Sequence, residues 1–183
     1  MRVIAGSAAG LHLKDPPQGV RPTMDKVREA VFSSLGDRVP DAVVLDLFSG
    51  SGALGIEALS RGAASVEFVE HSRETVQCIQ HNLRSTKLAA KAHEMDAFKF
   101  LQLYVEKGRY DLIFADPPYD KNPAAPSLTE RLLNDPHLPG ALAEGGIFVL
   151  EKNARMACEI PPQWAELRRK RYGDTEVIYL SRG

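Results

Sequence analysis

The run Ala42-Val43-Val44-Leu45-Asp46-Leu47-Phe48, followed by Gly50-Ser51-Gly52-Ala53-Leu54-Gly55, constrains this chain more than any other stretch. A short, nearly continuous apolar run bounded by turn residues reads as a buried strand, and the glycine turn opens a helix over about Ala53–Ser60. A strand passing straight into a helix is the first half of a βαβ unit, whose next strand lies parallel to the first. The same alternation continues. Ser65–Val69 is the next strand, and Ser72 caps a helix with Val76, Ile79 and Leu83 on one apolar stripe. A weak strand at Ala90–Met95 leads to a short helix with Phe98 and Leu101. Leu112–Ala115 and Ile147–Leu150 are strands separated by a helix near Ser127–Leu133. Ala165–Tyr172 and Thr175–Leu180, joined through Gly173-Asp174, form a closing hairpin.

The expected fold is therefore α/β: a doubly wound, mostly parallel seven-stranded sheet with an antiparallel C-terminal edge. Residues 1–38 read as an extension packed on the core of 39–183, one structural domain overall. In it, Val3–Leu13 forms a hairpin around Gly6–Gly10. Thr23 caps a helix carrying Val27, Ala30, Val31 and Leu35, and Gly36 ends it.

A length of 183 residues fits one such domain. No apolar stretch reaches the length of a membrane span, and Met1-Arg2-Val3-Ile4-Ala5-Gly6 lacks a signal-peptide layout. Cys78 and Cys158 stand far apart and outside any metal-ligand pattern, so both are read as small apolar fillers. The expectation is a reduced, cytoplasmic, metal-free monomer. A formal net charge of −1 argues against a protein that holds naked nucleic acid mainly by electrostatics. The cations are nevertheless grouped, in Arg168-Arg169-Lys170-Arg171 and around Arg2, Lys14, Arg21, Lys26 and Arg28.

Asp46, Glu70, Asp96 and Asp116 each fall at or near the end of a successive strand. Those ends lie side by side in a parallel sheet, so the four acids are expected to line one crevice, where a donor-rich or cationic ligand offsets their crowding. Asp96 before Ala97 also has the position of a helix cap. Asp116 opens Asp116-Pro117-Pro118-Tyr119. Two prolines remove two backbone donors and fix two φ angles, giving a rigid turn. A carboxylate and a fixed carbonyl can accept both hydrogens of one NH2 group, and Tyr119 offers a face for a flat ring. That equipment suits chemistry on the exocyclic amine of a nucleobase.

Gly50-Ser51-Gly52-Ala53-Leu54-Gly55 is a G-x-G-x-x-G turn with an acid, Glu70, about 20 residues further on. It fits an adenosine-type ligand, which leaves both NAD and S-adenosylmethionine. Asp46 before the glycines opposes a pyrophosphate and favours a cationic methionyl group, and a dehydrogenase has no use for Asp-Pro-Pro-Tyr. S-adenosylmethionine is the better reading.

The stretch Asp46–Ala63 resembles the cofactor motif of class I methyltransferases, Rossmann-like enzymes. It is especially similar to the RsmD-like bacterial enzymes, which methylate the 2-amino group of a guanine in small-subunit (16S) ribosomal RNA. The likeness extends to Met1–Gly6, to Arg21-Pro22-Thr23 with Val27–Phe32, to Ala115–Tyr119 and to Tyr172-Gly173-Asp174-Thr175, in the family's order and without departure at a motif position. Asp120–Pro139 matches no motif. The resemblance implies S-adenosyl-L-methionine as methyl donor, S-adenosyl-L-homocysteine as product and no metal. It implies Asp116, Pro117, Pro118 and Tyr119 at the reacting amine. Glu70 would take the ribose hydroxyls, Asp96 with Ala97 the adenine, and Asp46, Phe48, Gly50 and Gly52 the methionine end. Arg21, Thr23 and Arg28 would close the pocket or touch RNA, and Arg168 and Arg169 are candidate RNA contacts. The implied substrate is 16S rRNA in the small subunit or its precursor. Rival readings are an adenine-N6 DNA methyltransferase, which needs sequence to read a DNA site that this chain lacks, and a glutamine methyltransferase, which more typically has Asn at the Asp116 position. A non-catalytic RNA-binding assembly factor would have no need of the full acid set.

Overall fold

The computed structural model describes residues 1–15, 25–118 and 126–183. Helix α1 spans Asp25–Leu35 and runs into a single 3-10 turn at Gly36–Arg38. Then come β1 (Val43–Leu47), α2 (Ala53–Ser60), β2 (Ser65–Glu70), α3 (Arg73–Thr86), β3 (Lys91–Glu94), α4 (Ala97–Leu103) and β4 (Tyr110–Ala115). They are followed by α5 (Leu128–Leu133), α6 (Leu138–Ala141), β5 (Leu142–Asn153), β6 (Trp164–Tyr172) and β7 (Thr175–Arg182). One seven-stranded sheet runs in the order β3-β2-β1-β4-β5-β7-β6. Strands β1 to β5 are mutually parallel, while β7 lies antiparallel to both β5 and β6. The expected fold is the observed one.

Local chemistry sets the helix ends. Ser72 accepts from the Thr75 amide at the start of α3, and Lys87 closes that helix in the left-handed region at φ 57°. Asp96 caps α4 through the Lys99 amide, and Ser127 with Glu130 forms a reciprocal capping box on α5. Two apolar layers flank the sheet. One holds α1, α2 and α3 against Val44, Phe68, Phe114 and Tyr179. The other holds α4, α5 and α6 against Leu45, Ile113, Phe148 and Ile178.

The chain reversal expected at Val3–Leu13 is present, and the structure departs from the sequence reading in three other places. In the N-terminal turn the Val3 amide donates to the Leu11 carbonyl at 3.0 Å, Gly10 to Val3 at 2.9 Å and Leu13 to Met1 at 3.1 Å, around the antiparallel bridge Arg2↔His12. The amides between the two arms go to α2: Ile4 and Ala5 donate to the two oxygens of Glu57 at 2.8 and 3.0 Å, and Ser7 and Ala8 donate to the Ser60 carbonyl and hydroxyl. Arg28 lies neither on a helix surface nor at an RNA-facing position. It is fully buried, with Nε 3.7 Å from Glu57 and Nη2 3.0 Å from Asp25. Strand β5 runs from Leu142, five residues before the expected Ile147, with a register shift opposite Tyr110 and Leu112. The short helix α6 has no counterpart in the sequence reading. Thr23, expected as the cap of α1, lies outside the described residues.

The extension thus rests on a buried carboxylate. Glu57 is 1% exposed and also pairs with Arg61 at 2.7 Å, so the acid is both charge-paired and hydrogen-bonded, as burial requires. Gly6 makes the approach possible. It sits at φ +85°, and a Cβ there would meet the Ser60 carbonyl oxygen at 1.7 Å. Gly10 has a similar φ of +81° with nothing within 4 Å. Gly10→Ala should therefore cost only the left-handed penalty of about 1–2 kcal/mol. Gly6→Ala should cost clearly more, because the backbone must also move. Urea denaturation of the two variants checks this, and equal midpoints would show that the contact with α2 is dispensable.

Candidate functional site

The strand order changes direction between β1 and β4, the place where an open α/β sheet forms a crevice at its carboxyl edge. The turn leaving β1 is built on three positive φ angles, at Phe48 (55°), Gly50 (53°) and Gly52 (79°). Two glycines take that region at no steric cost. Phe48 does not, and a bulky residue held there marks a functional turn. It is fixed by an edge-to-face contact with Phe98, which in turn lies under Arg131 at 4.0 Å. The third glycine of the motif, Gly55, has a packing role: a Cβ there would lie 2.3 Å from the Phe68 ring.

Side chains beneath and beside the turn lock it. Asp46 in β1 accepts from the Gly55 amide at 2.9 Å. Ser49 bridges β1 to β2 by exchanging hydrogen bonds with Val69. Glu70 closes β2 and accepts from Gly50 at 3.2 Å and from Ser72 at 2.9 Å, with His71 Nδ1 also at 2.9 Å. The sequence reading leaves these acids unpaired in the crevice. Asp46 and Glu70 instead each satisfy backbone amides, because a buried carboxylate needs donors even before a ligand arrives.

Asp46, Glu70 and Asp116 form one electrostatic group. The Asp46 carboxyl is pushed well above the usual carboxylate range, chiefly by burial and further by the charges of Asp116 and Glu70, against the opposing Gly55 hydrogen bond. Asp116 follows Ala115, which is paired with Leu47 at the end of β1. Asp116 is half-buried, Pro117 buried and Pro118 exposed. Asp96 stands further out along the same edge, beyond β3, exposed and engaged as the α4 cap, with Ala97 buried behind it. Tyr119, Arg21 and Thr23 lie outside the described residues. Arg168 and Arg169 are on the edge strand β6, and Arg169 is already paired with Glu166 and Glu176.

Two residues escaped the sequence reading. Asn82 in α3 is fully buried; it accepts from the Lys14 amide at 2.7 Å and donates to the Lys14 carbonyl at 3.1 Å and the Ser51 carbonyl at 3.0 Å. One amide thus joins the N-terminal segment to the glycine turn. A polar residue three positions after Ile79, on the apolar face of α3, was the available signal. Lys152 at the end of β5 is 3% exposed and holds Glu176 at 3.1 Å together with the carbonyls of Asn153 and Met156. It stiffens one wall of a shallow cleft beside Pro118 and the start of α5, and nothing in its sequence context marks it. Cys78 is buried against the Lys14 and Asp15 carbonyls, and burial pushes its thiol up. Among the described residues no cluster of acids, His and Cys is fit to hold a metal ion, and no helix is long and apolar enough to cross a membrane.

With this geometry in place, residues 1–181 match the family model described as conserved hypothetical protein 95. The ribosomal RNA small subunit methyltransferase D of Escherichia coli K12 is 35% identical over 98% of this chain and 87% of its own. The chain belongs to the RsmD family. The Haemophilus influenzae methyltransferase D is 33% identical over 94% of this chain and 89% of its own. Among solved structures, a hypothetical protein of Thermus thermophilus superposes with a TM-score of 0.80 at 30% identity, covering 99% of both chains. The 16S rRNA N2 G1207 methyltransferase RsmC of T. thermophilus, solved with AdoMet and guanosine, gives 0.72 at 24% identity over 91% of this chain and 45% of that one, a likeness of fold. The sheet of this RsmD-family chain is the class I methyltransferase sheet.

Burial of Asp46 has a measurable consequence. Its folded pKa lies above the value near 3.9 of an unfolded Asp. From about pH 4 upward the native state therefore holds a proton that the unfolded chain has lost, and stability falls as pH rises through that window. Asp46→Asn, which keeps an acceptor for Gly55, should flatten this part of the profile. Urea midpoints of both proteins between pH 4 and 8 decide it; identical slopes would show that Asp46 ionises normally.

Proposed function

We propose that this chain is a 16S rRNA (guanine-N2)-methyltransferase, which uses S-adenosylmethionine to methylate the exocyclic 2-amino group of a guanine. We place the reaction in the cytoplasm, on an assembling small ribosomal particle, with the enzyme acting as a monomer. The observation that carries the reading is the convergence of Asp116 with Asp46 and Glu70 at the strand-order reversal, beside a locked glycine turn. The names of the RsmD-family relatives supply the substrate class.

The residues fit the methyl donor on their own chemistry. The raised pKa of Asp46 means that an adjacent positive charge would stabilise its ionised form, and a sulfonium ligand carries such a charge. Glu70 is held at the turn by Gly50 and Ser72 and presents acceptor oxygens suited to ribose hydroxyls. Phe48 and Phe98 give an apolar wall near the turn, and Asp96 with Ala97 marks the adenine end. S-adenosylmethionine, when bound, supplies an electrophilic methyl group.

The chain's own contribution is alignment and charge. A guanine amine is a poor nucleophile because its lone pair is delocalised into the ring. Asp116 and the Pro117 carbonyl, accepting its two N–H bonds, would favour a pyramidal nitrogen and offset the positive charge that develops there. Pro118 keeps that carbonyl from drifting, and Tyr119 would stack on the base once it has left its helix or loop. Specificity falls to a folded RNA surface, since a chain of net charge −1 has little general affinity for naked nucleic acid.

Tritium transfer to small subunits lacking the modification, followed by mapping of the labelled base, tests the reaction directly; label on an adenine or on protein would refute it. Asp116→Asn should lower kcat by at least about 100-fold with cofactor affinity unchanged by calorimetry, and near-normal turnover would remove the carboxylate from the mechanism. Glu70→Ala should weaken cofactor binding by at least about tenfold, the worth of one charge-assisted hydrogen bond. Wild-type affinity in that variant would sink the ribose assignment.

A further inference from the structure

Strand β6 pairs with β7 alone, at the end of the sheet. Every residue from Ala165 to Arg171 is exposed. Cations on an exposed edge commonly discourage pairing with another chain, so the run Arg168-Arg169-Lys170-Arg171 has an ordinary explanation as an edge guard. The register separates its members. Arg168 is paired with Tyr179 and Lys170 with Val177, both from the apolar layer that contains α1, and Arg168 Nη1 lies 3.4 Å from the Ser34 hydroxyl of α1. Arg169 is paired with Ile178, from the opposite layer, and Arg171, paired with Glu176, alternates onto that same face. The Arg169 guanidinium is held by Glu166 at 2.7 Å and Glu176 at 3.1 Å.

The local acids are already committed. Glu176 also takes Lys152, and Asp174 takes Arg155 at 3.1 Å. Arg171 donates to the Gly173 carbonyl and Arg168 to a hydroxyl, and no ion pair joins Arg168, Lys170 or Arg171 to a carboxylate among the described residues. An edge guard does not require three cations in four residues to be left uncompensated. Their height on the sheet is informative too. Arg171 is level with Glu176 and hence with Lys152, two residues beyond Leu150, which is level with Ala115. This end of β6 therefore stands at the same edge as Asp116-Pro117, three strand spacings away, or about 14 Å.

We infer that Arg168 and Lys170 on one face, with Arg171 on the other face at the carboxyl-edge end of the strand, form a ridge along the exposed edge that holds the backbone phosphates of the RNA flanking the target base, and that Arg169 is an internal tie. This rests on the RNA-methyltransferase reading and adds where the polynucleotide lies. The contacts are to backbone, so they carry affinity and orientation with no sequence preference.

The test compares wild type, Arg168→Gln/Lys170→Gln/Arg171→Gln, the single Lys170→Gln and the control Arg169→Gln. Binding to small-subunit rRNA is measured across a salt series, with methyl transfer to undermethylated small subunits, cofactor affinity and sedimentation alongside. Each lost phosphate contact should lower the log–log salt slope by about 0.7–0.9, so the triple variant should lose about 2–3 units and Lys170→Gln about one. Cofactor affinity should not move, and Arg169→Gln should lower the melting temperature while keeping the slope. A triple variant with the wild-type slope overturns the ridge, and one that also self-associates identifies an edge guard. Wild type that fails to methylate small subunits refutes the underlying reading and the ridge with it. Wild type that methylates, beside a triple variant binding RNA equally well, refutes the ridge alone.

Discussion

A single hydrogen bond, from the Gly55 amide to the buried Asp46 carboxyl group, organises the carboxyl edge of this sheet. It joins the middle of the apolar core to the start of α2 and so fixes the arc of the glycine turn between them. The acid is costly to bury, and the nearby charges of Asp116 and Glu70 raise that cost. Folding retains it because the surrounding sheet over-determines its position: Leu45 and Leu47 on either side are fully buried. A ligand bringing positive charge would favour the ionised carboxylate, and the same bond that shapes the turn tunes its charge preference.

Around that bond, two further anchors make the turn and the N-terminal extension one mechanical unit. Glu57 in α2 collects the amides of Ile4 and Ala5, while Asn82 in α3 spans Lys14 and Ser51. The helix that begins under the turn therefore also carries the extension. Arg28 belongs to this arrangement, and its burial explains why a residue that looks like an RNA contact serves as a clamp on Glu57 and the Arg2 carbonyl. Two of its nitrogens, Nε and Nη1, have no hydrogen-bond partner among the described residues. Its ion pairs with Glu57 and Asp25 hold it in the interior.

Much of this was legible in the sequence because period and punctuation agree there. Val43–Leu47, Leu112–Ala115 and the stripe Val76, Ile79, Leu83 declare their elements by hydrophobic spacing, and Ser72, Ser127 and Asp96 declare helix starts. What periodicity cannot reveal is where a polar group goes once buried. Glu57 and Asn82 look like unremarkable helix residues, and their partners lie 53 and 68 positions away in the chain. The turn expected at Val3–Leu13 forms, and for the same reason the sequence hides that the Ile4, Ala5, Ser7 and Ala8 amides within it donate to Glu57 and Ser60 of α2. The strand-end acids do share one edge, but their present partners follow from the glycine turn, which no residue count describes. The lone signal for Lys152 would have been its carbonyl partners, which exist only in the folded chain.

The charge layout gives the proposed chemistry its direction. Acids cluster at β1, β2 and β4, and uncompensated cations lie three spacings off on β6, so a nearly neutral chain presents a dipolar edge. In the proposed reaction a phosphate backbone would be repelled from the acidic crevice and drawn to β6, and a base amine, a donor with no negative charge, would be the part of a nucleotide that the crevice accepts. On that proposal the two ends of one sheet edge would sort the nucleotide by its own polarity, with backbone outward and base inward, and would leave sequence choice to the shape of the RNA that can meet both at once.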